Sequence, residues 1–357
     1  MSKLKVCVIC GGASSEHDVS LVSATSVLKN LDKSKYEVYI IIISKQGKWF
    51  LYEDDIDLLS GGNWVFSPKL CPAHISPEAG APTIFYKAAP NDNFEALTFE
   101  VAFPVLHGKN GEDGTIQGLF TLADIPFVGC DTLSSAMCMD KEITHIVLES
   151  AGIRTAKWHT IYKSEIENFD LIEDILKDEI RYPMFIKPAN SGSSVGVSKA
   201  HNKTELLMAL QNASIHDNKI IVEEFIDGIE IECAVLGNDN TEASIVGEIA
   251  PCNEFYDYDA KYVDNKTELY IPARIPDSVS DQVRKIARDA YKRLGCCGLS
   301  RVDFFLTADN TVILNEINTI PGFTSISMYP KLFAEYGIPY NKLLDRLIEL
   351  ALEKAGK

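Results

Sequence analysis

Between Leu299 and Ser325 the chain reads LSRVDFFLTADNTVILNEINTIPGFTS, and no other stretch limits the fold so sharply. Ser300 to Leu306 and Val312 to Ile317 are rich in β-branched and aromatic residues, and Asp309-Asn310 between them has two-residue turn chemistry. The segment is therefore predicted to be a β-hairpin. With Asp309 and Asn310 central, Ala308 pairs with Thr311, and counting back sets Asp303 opposite Glu316 and Arg301 opposite Asn318. Residues two apart on a strand share a face, and so do directly opposed partners. All four polar side chains then point the same way. Two carboxylates whose β-carbons are roughly 4.5–5.5 Å apart repel unless a cation lies between them. Oxygen donors from Asp303, Glu316 and Asn318 suit Mg²⁺, which leaves the rest of its octahedron to water and phosphate oxygens. A solvated face is the competing account. The order Arg-x-Asp, Asn-Glu-x-Asn, Pro-Gly-x-Thr-Ser asks for more than solubility.

At 357 residues, 46% hydrophobic and 24% charged, the chain has room for two or three domains with cores of their own. A net charge of −17 argues against a nucleic-acid partner, whose backbone demands clustered Lys and Arg. The nine cysteines are scattered and odd in number, so neither a disulfide framework nor a structural zinc site is expected. Cys71 and His74 make a single ligand-like pair that reads as ordinary loop. No run approaches about 18 apolar residues, and the start of the chain is charged rather than apolar. No membrane partner is expected, and a cytoplasmic location fits.

Taken in order, Lys5 to Cys10 is a short apolar strand, broken by Gly11-Gly12-Ala13-Ser14-Ser15 before Leu21, Ala24, Leu28 and Leu31 recur at helical spacing. Ser15 with Asp18 resembles a capping arrangement, which puts Glu16 and His17 in the first turn. Glu16 either complements the helix dipole or receives a substrate ammonium. The glycines lack GxGxxG spacing, so a dinucleotide site, and with it a dehydrogenase, has little support. Tyr36 to Ile43 reads as a strand buried on both faces, and Phe99 to Leu106 as a third, followed by a helix through Ile116, Leu119, Phe120 and Ala123. The alternation predicts an open parallel α/β layer with ligands at the strand carboxyl ends. Residues 53–95 give no clear pattern.

A helix from Ser134 to Ala151 carries Asp140-Lys141 and closes at Gly152. Strands Met184 to Lys187 and Val195 to Ser198 flank a Gly/Ser loop rich in backbone N–H groups, which is either a flexible tip or a phosphate cap beside Lys187. A helix from Thr204 to Ala213 precedes the strands Lys219 to Phe225 and Ile229 to Leu236. Glu223, Glu224, Glu230 and Glu232 on these strands are either edge charges that block aggregation or acceptors for adenine and ribose. Asn253 to Tyr270 is a long aromatic and charged loop of the kind that serves as a lid. An amphipathic helix from Val279 to Leu294 leads into the hairpin, and helices follow Pro321-Gly322.

The motifs GGASSEHDVS, HGKNGEDGTIQG, KPANSGSSVGVSKA, EEFIDGIEIECAVLG, FYDYDAKY and the hairpin, in this order over nearly the whole chain, resemble the ATP-grasp ligases, and among them the D-alanine–D-alanine ligases. The resemblance implies an N-terminal α/β parallel-sheet domain (1–133) and an ATP-grasp fold whose two α+β domains (134–225; 226–357 with lid 253–270) hold ATP between antiparallel sheets. It implies ATP-dependent joining of two D-alanines through an acyl phosphate, for peptidoglycan precursors, by a cytoplasmic homodimer. ATP would be bound by Lys141, Lys187, Ser194, Glu223, Glu224, Phe225, Ile226, Glu230 and Lys261, with two Mg²⁺ ions, or Mn²⁺, on Asp303, Glu316 and Asn318. Glu16, with Ser193 and Tyr262, would hold the first D-alanine near His107. Arg301 and the Gly322 N–H would stabilise the oxyanion, and Ser327 would bind the carboxylate of the second D-alanine. Tyr262 and Met328 favour D-alanine as acceptor. Ser191 resembles the glycopeptide-resistance ligases and leaves D-serine or D-lactate open. The rival readings are another carboxylate–amine ligase and a nucleotide-binding regulator; the latter has no need of Arg301 beside the metal residues.

Overall fold

The structure, a computed structural model, describes residues 2–89, 91–250 and 268–357. The expected lid therefore lies outside the described residues except for its last three, and so do Lys261 and Tyr262. The first sheet has the order β6-β5-β4-β3-β2-β1-β7. Its strands are β1 (Leu4–Gly11), β2 (Tyr36–Ile43), β3 (Trp49–Tyr52), β4 (Leu70–Ile75), β5 (Thr83–Tyr86), β6 (Glu95–Thr98) and β7 (Val101–Leu106). Only β1, β2 and β7 are mutually parallel. The strands β3 to β6 run antiparallel, which corrects the expectation of a wholly parallel layer. The link from β2 to β3 turns at Gly47 (φ +76°), far too short for a crossover, so β3 has to return antiparallel.

Helix α1 (His17–Asn30) buries Leu21, Ala24 and Leu28 on one face of this sheet. It begins at His17 with Glu16 in the cap position, one residue later than expected, and Asp18 turns outward to Lys45 (2.9 Å) instead of completing a capping box. A short α2 (Asp57–Ser60) lies beside it, and α3 (Thr115–Leu122) covers the other face through Ile116 and Phe120. The expected single helix from Ser134 to Ala151 is two, α4 (Thr132–Met139) and α5 (Lys141–Ser150). Asp140 separates them in extended conformation (ψ 105°), because its carboxylate accepts the Ile143 N–H (3.2 Å) as the cap of α5 and also binds Lys219 (2.5 Å).

The second sheet, order β10-β9-β11-β8, is antiparallel: β8 (Trp158–Tyr162), β9 (Met184–Pro188), β10 (Ser198–Ala200) and β11 (Lys219–Glu224). Helices α6 (Phe169–Glu179) and α7 (Lys203–His216) seal it with Ile172, Leu176, Leu206 and Leu210. The Gly/Ser loop runs on to Ser198 before β10 begins, longer than expected. The third sheet, order β14-β13-β12-β15-β16, consists of β12 (Gly228–Gly237), β13 (Glu242–Ala250), β14 (Glu268–Tyr270), β15 (Gly298–Thr307) and β16 (Val312–Asn318). Helix α8 (Asp277–Arg293) packs Val283, Ala287 and Tyr291 against Val302 and Phe304. Helices α9 (Met328–Tyr336) and α10 (Tyr340–Lys354) share one core with the first sheet, in which Tyr329, Phe333, Leu343 and Leu347 join Val6, Val8 and Ile42. Both β11 and β12 are interior strands, so Glu223, Glu224, Glu230 and Glu232 are not edge charges.

In the hairpin itself, Asp303 pairs with Glu316 and Arg301 with Asn318, as counted, but for a different reason. Thr307 N–H bonds to the Thr311 carbonyl (3.1 Å), so the turn holds Ala308, Asp309 and Asn310, with Asn310 left-handed (φ +62°). Phe304 therefore pairs with Leu314, one residue off the predicted register. Asn315 then stands as an extra residue opposite the Asp303–Phe304 step, a β-bulge that restores the offset before Glu316.

Candidate active site

The parallel strands β1 and β7 end side by side: the Gly11-Gly12 turn lines a cavity of about 340 Å³, and His107 borders both that cavity and another of about 430 Å³. The walls of the larger bring together Glu16 and His107 from the first unit, Lys141 and Ser193 from the second, and Arg301, Glu316, Asn318, Gly322 and Ser327 from the third. Residues up to 311 positions apart thus meet where an open α/β sheet is expected to bind.

Glu16 is buried (7% exposed) and accepts a short hydrogen bond from Ser193 Oγ. It is wedged there by glycines: a β-carbon at Gly108 (φ +69°) would overlap Glu16 Oε2, and one at Gly192 would touch it at 3.4 Å. His107 contacts Ser23 Oγ (3.0 Å) and the Ile320 carbonyl (3.1 Å). Burial alone would lower its pKa, but Glu112 (3.6 Å) outweighs burial and raises it. Glu112, which also accepts the Gly108 N–H (3.0 Å), had no assigned role in the sequence reading.

Ser193 and Ser194 both lie in the left-handed region (φ +49° and +58°), consecutive strained residues at the tip of the Gly/Ser loop. Lys141 holds that loop by donating from Nζ to the Ser191 carbonyl (2.7 Å). Burial lowers the Lys141 pKa against the opposing charge of Glu316. Lys187 on β9 donates to Glu223 (2.6 Å) and reaches Asn315 Oδ1 (3.4 Å) on the bulge. Burial would raise the pKa of the Glu223 carboxyl, yet the Lys187 ammonium and His145 (2.9 Å) hold it far below the usual carboxylate range. Lys187 is raised in turn, burial being overcome by Glu223. Glu224, Phe225 and Ile226 end β11, where Glu224 accepts the Lys157 N–H (2.9 Å); Glu230 and Ser194 stand on β12 and on the loop. None of these four, nor Ser194, lines the cavity.

Across β12, β15 and β16 the register sets Glu232, Asp303 and Glu316 in one transverse row. Arg301 neutralises part of it, bidentate on Asp303 (2.7 and 2.6 Å) and 3.0 Å from Glu232, while Asn318 Nδ2 donates to Asp303 (2.9 Å). Burial would lower the Arg301 pKa, but Asp303 and Glu232 raise it, so the guanidinium stays charged. Two opposed carboxylates and an amide form a hard, all-oxygen donor set of the kind Mg²⁺ takes. Among the described residues no group of three or more His, Cys, Asp or Glu is arranged to hold a metal ion. Glu232 was read as an edge charge or an adenine or ribose acceptor and not as the partner of Arg301, and Asn315 was missed altogether. The first looks like any strand glutamate, and the second owes its position to a bulge.

Beyond Pro321, the Gly322 backbone passes so close to Ser327 that a β-carbon would stand 2.8 Å from its hydroxyl. Ser327 Oγ accepts the Thr324 N–H (3.0 Å) and meets Thr324 Oγ1 (2.8 Å). Met328 packs over Gly247, where a β-carbon would collide with its terminal methyl.

Known proteins resemble this chain in sequence and in fold. The family model described as D-ala D-ala ligase N-terminus matches residues 5–130, and that described as D-ala D-ala ligase C-terminus matches residues 147–349. The chain is 49% identical to a D-alanine--D-alanine ligase of Caldicellulosiruptor bescii over 99% of its length and 96% of the relative's. It is 45% identical to D-alanine--D-alanine ligase A of Salmonella typhimurium, over 99% and 97%. Among solved structures, the VanG D-Ala:D-Ser ligase of Enterococcus faecalis superposes with a TM-score of 0.88 at 40% identity, covering 98% of this chain and 100% of that one. The D-alanine-D-alanine ligase of Coxiella burnetii gives 0.86 at 36%, covering 100% and 96%. Two family models laid end to end along one chain, with relatives near half identical over its whole length, settle its kinship: the chain belongs to the D-ala D-ala ligase family.

Proposed function

We propose that this protein is an ATP-dependent ligase that joins two D-alanines into D-alanyl-D-alanine for peptidoglycan precursors. The observation that carries the reading is the single cavity on which Glu16, Lys141, Ser193, Arg301, Glu316 and Ser327 converge, in a chain of this family. The donor D-alanine lies with its ammonium on Glu16, and Ser193 closes over it. Its carboxylate oxygen takes the γ-phosphoryl group as the bond to ADP breaks, while Lys141 and Lys187 neutralise phosphate charge. Asp303, Glu316 and Asn318 would hold Mg²⁺, which would supply positive charge against the phosphates.

The acceptor amine then forms the C–N bond, the C–O bond to phosphate breaks, and the amine proton leaves. Arg301 and the Gly322 N–H stabilise the oxygen that carries negative charge between these events. Glu223, Glu224, Phe225, Ile226 and Glu230 frame the adenine and ribose beside Ser194. Lys261 and Tyr262, outside the described residues, are assigned to the γ-phosphate and to the donor network by the family resemblance. We take 1–133, 134–225 and 226–357 as its domains. No helix among the described residues is long and apolar enough to cross a membrane. We place the enzyme in the cytoplasm, as a homodimer.

The test is product identification from ATP, Mg²⁺ and D-alanine with D-serine and D-lactate competing. D-alanyl-D-alanine is expected as the main product, and no ATP turnover with D-alanine would overturn the reading. A D-serine acceptor is the second reading, favoured by the close superposition on the VanG D-Ala:D-Ser ligase; a predominance of D-alanyl-D-serine would establish it.

A further inference from the structure

The acceptor end of the cavity holds a cation to which no motif assigns a task. Three basic side chains line the walls: Lys141, Arg301 and Lys331. Lys141 is committed to the Ser191 carbonyl, and Arg301 to Asp303 and Glu232. Lys331 has no hydrogen-bond or ion-pair partner among the described residues, although four glutamates, Glu16, Glu112, Glu232 and Glu316, line the same space. It is half-buried, flanked by the buried Pro330 and Leu332.

Position explains this isolation. Lys331 stands four residues after Ser327 and three after Met328, at the start of α9. Helical spacing stacks these three on one face, toward the cavity that all of them line. The hydroxyl of Ser327 is turned to Thr324 and does not cap the helix, and Pro330 has no N–H to offer. A half-buried ammonium beside a hydroxyl at a helix start is matched by a carboxylate. Of the two substrates, the donor presents its carboxylate to the phosphate at the other end of the cavity, where Lys141 and Glu316 lie. The acceptor's carboxylate takes no part in the chemistry and has to be held elsewhere.

Resting on the ligase reading above, we propose that Lys331 is a positioning residue for the acceptor: its ammonium pairs with the carboxylate of the second amino acid, and so restricts the second site to acceptors with a free carboxyl group. Lys331 touches neither the scissile acyl phosphate nor the amine. Its contribution is to orient the acceptor so that the amine faces the activated carbon.

Steady-state kinetics with the donor and acceptor KM values resolved, on the wild type, Lys331→Met and Lys331→Arg, test the proposal. Lys331→Met is expected to raise the acceptor KM about ten- to hundredfold, with the donor and ATP KM values within about twofold of wild type. Lys331→Arg should recover most of the loss. With D-alaninamide as acceptor, which carries no carboxylate, the wild type and Lys331→Met should be indistinguishable. An unchanged acceptor KM in Lys331→Met, or an equal loss with D-alanine and D-alaninamide, would overturn the assignment. Dipeptide formation by the wild type is measured first in the same assay. Its absence would overturn the ligase reading together with this one, whereas its presence beside an unchanged acceptor KM overturns the Lys331 assignment alone.

Discussion

Gly108 shows how little room the donor end of the site leaves. Its backbone is left-handed, and a β-carbon there would occupy the space of a Glu16 carboxylate oxygen. Gly108→Ala is accordingly expected to push Glu16 aside and raise the donor KM about tenfold or more, while the ATP KM stays near wild type; resolved KM measurements check this. The glycine stands in the HGKNG motif, but the sequence could not show which side chain it makes room for, because Glu16 is 92 positions away. At the opposite end, Glu316→Gln keeps shape and hydrogen-bonding capacity but removes one charge of the transverse carboxylate row. Turnover should fall by about a thousandfold with the melting temperature unchanged. Near-normal turnover in a phosphate-release assay would show that the hairpin does not hold the metal.

The hairpin's key pairing was legible and its mechanics were misread. A two-residue turn and no bulge predicts the same Asp303–Glu316 pairing as a three-residue turn followed by a bulge at Asn315, since the two offsets cancel. Alternating polarity reports which face is buried, yet it is nearly blind to an extra residue flanked by polar neighbours such as Asn315-Glu316. Helix α4 was merged with α5 for a related reason: apolar spacing runs on through Asp140, and the break depends on Lys219 far along the chain. Residues 53–95 escaped because strands β4 to β6 are short and lie at the half-exposed end of the sheet. Deletion of Asn315 tests the bulge. It closes the ladder with Asp303 still opposite Glu316 and Arg301 still opposite Asn318, so turnover and ATP-dependent thermal stabilisation should be reduced but retained, whereas insertion of a second residue beside Asn315 should turn Glu316 and Asn318 to the opposite face and abolish both.

The molecule is held together by a core that ignores its division into sheets, and one polar clamp reports on it. Asp345 on α10 accepts from Lys35 (2.6 Å) and from Tyr36 (2.9 Å) at the start of β2, and is itself buried (6% exposed). Burial alone would raise its pKa, but the hydrogen bonds from Lys35 and Tyr36 hold it below the ordinary value. The stabilisation therefore exists above the unfolded-state pKa of about 3.9 and disappears as pH falls through the lower folded value. Asp345→Asn should cost about 1–3 kcal/mol at neutral pH. The deficit, measured by denaturant melts, should stay flat from about pH 6 to 8 and shrink below about pH 4.

The bond between Ser193 and Glu16 has a further consequence at this scale, in time rather than in space. It joins a loop of the second sheet to the first helix of the chain, across the mouth of the cavity. A loop tied at Ser193 to Glu16 and at Ser191 to Lys141 is expected to open and close as one piece, and such motions take microseconds to milliseconds. The strained backbone at Ser193 and Ser194 means that the closed loop is held by these contacts and not by its own conformational preference, so their loss should release it.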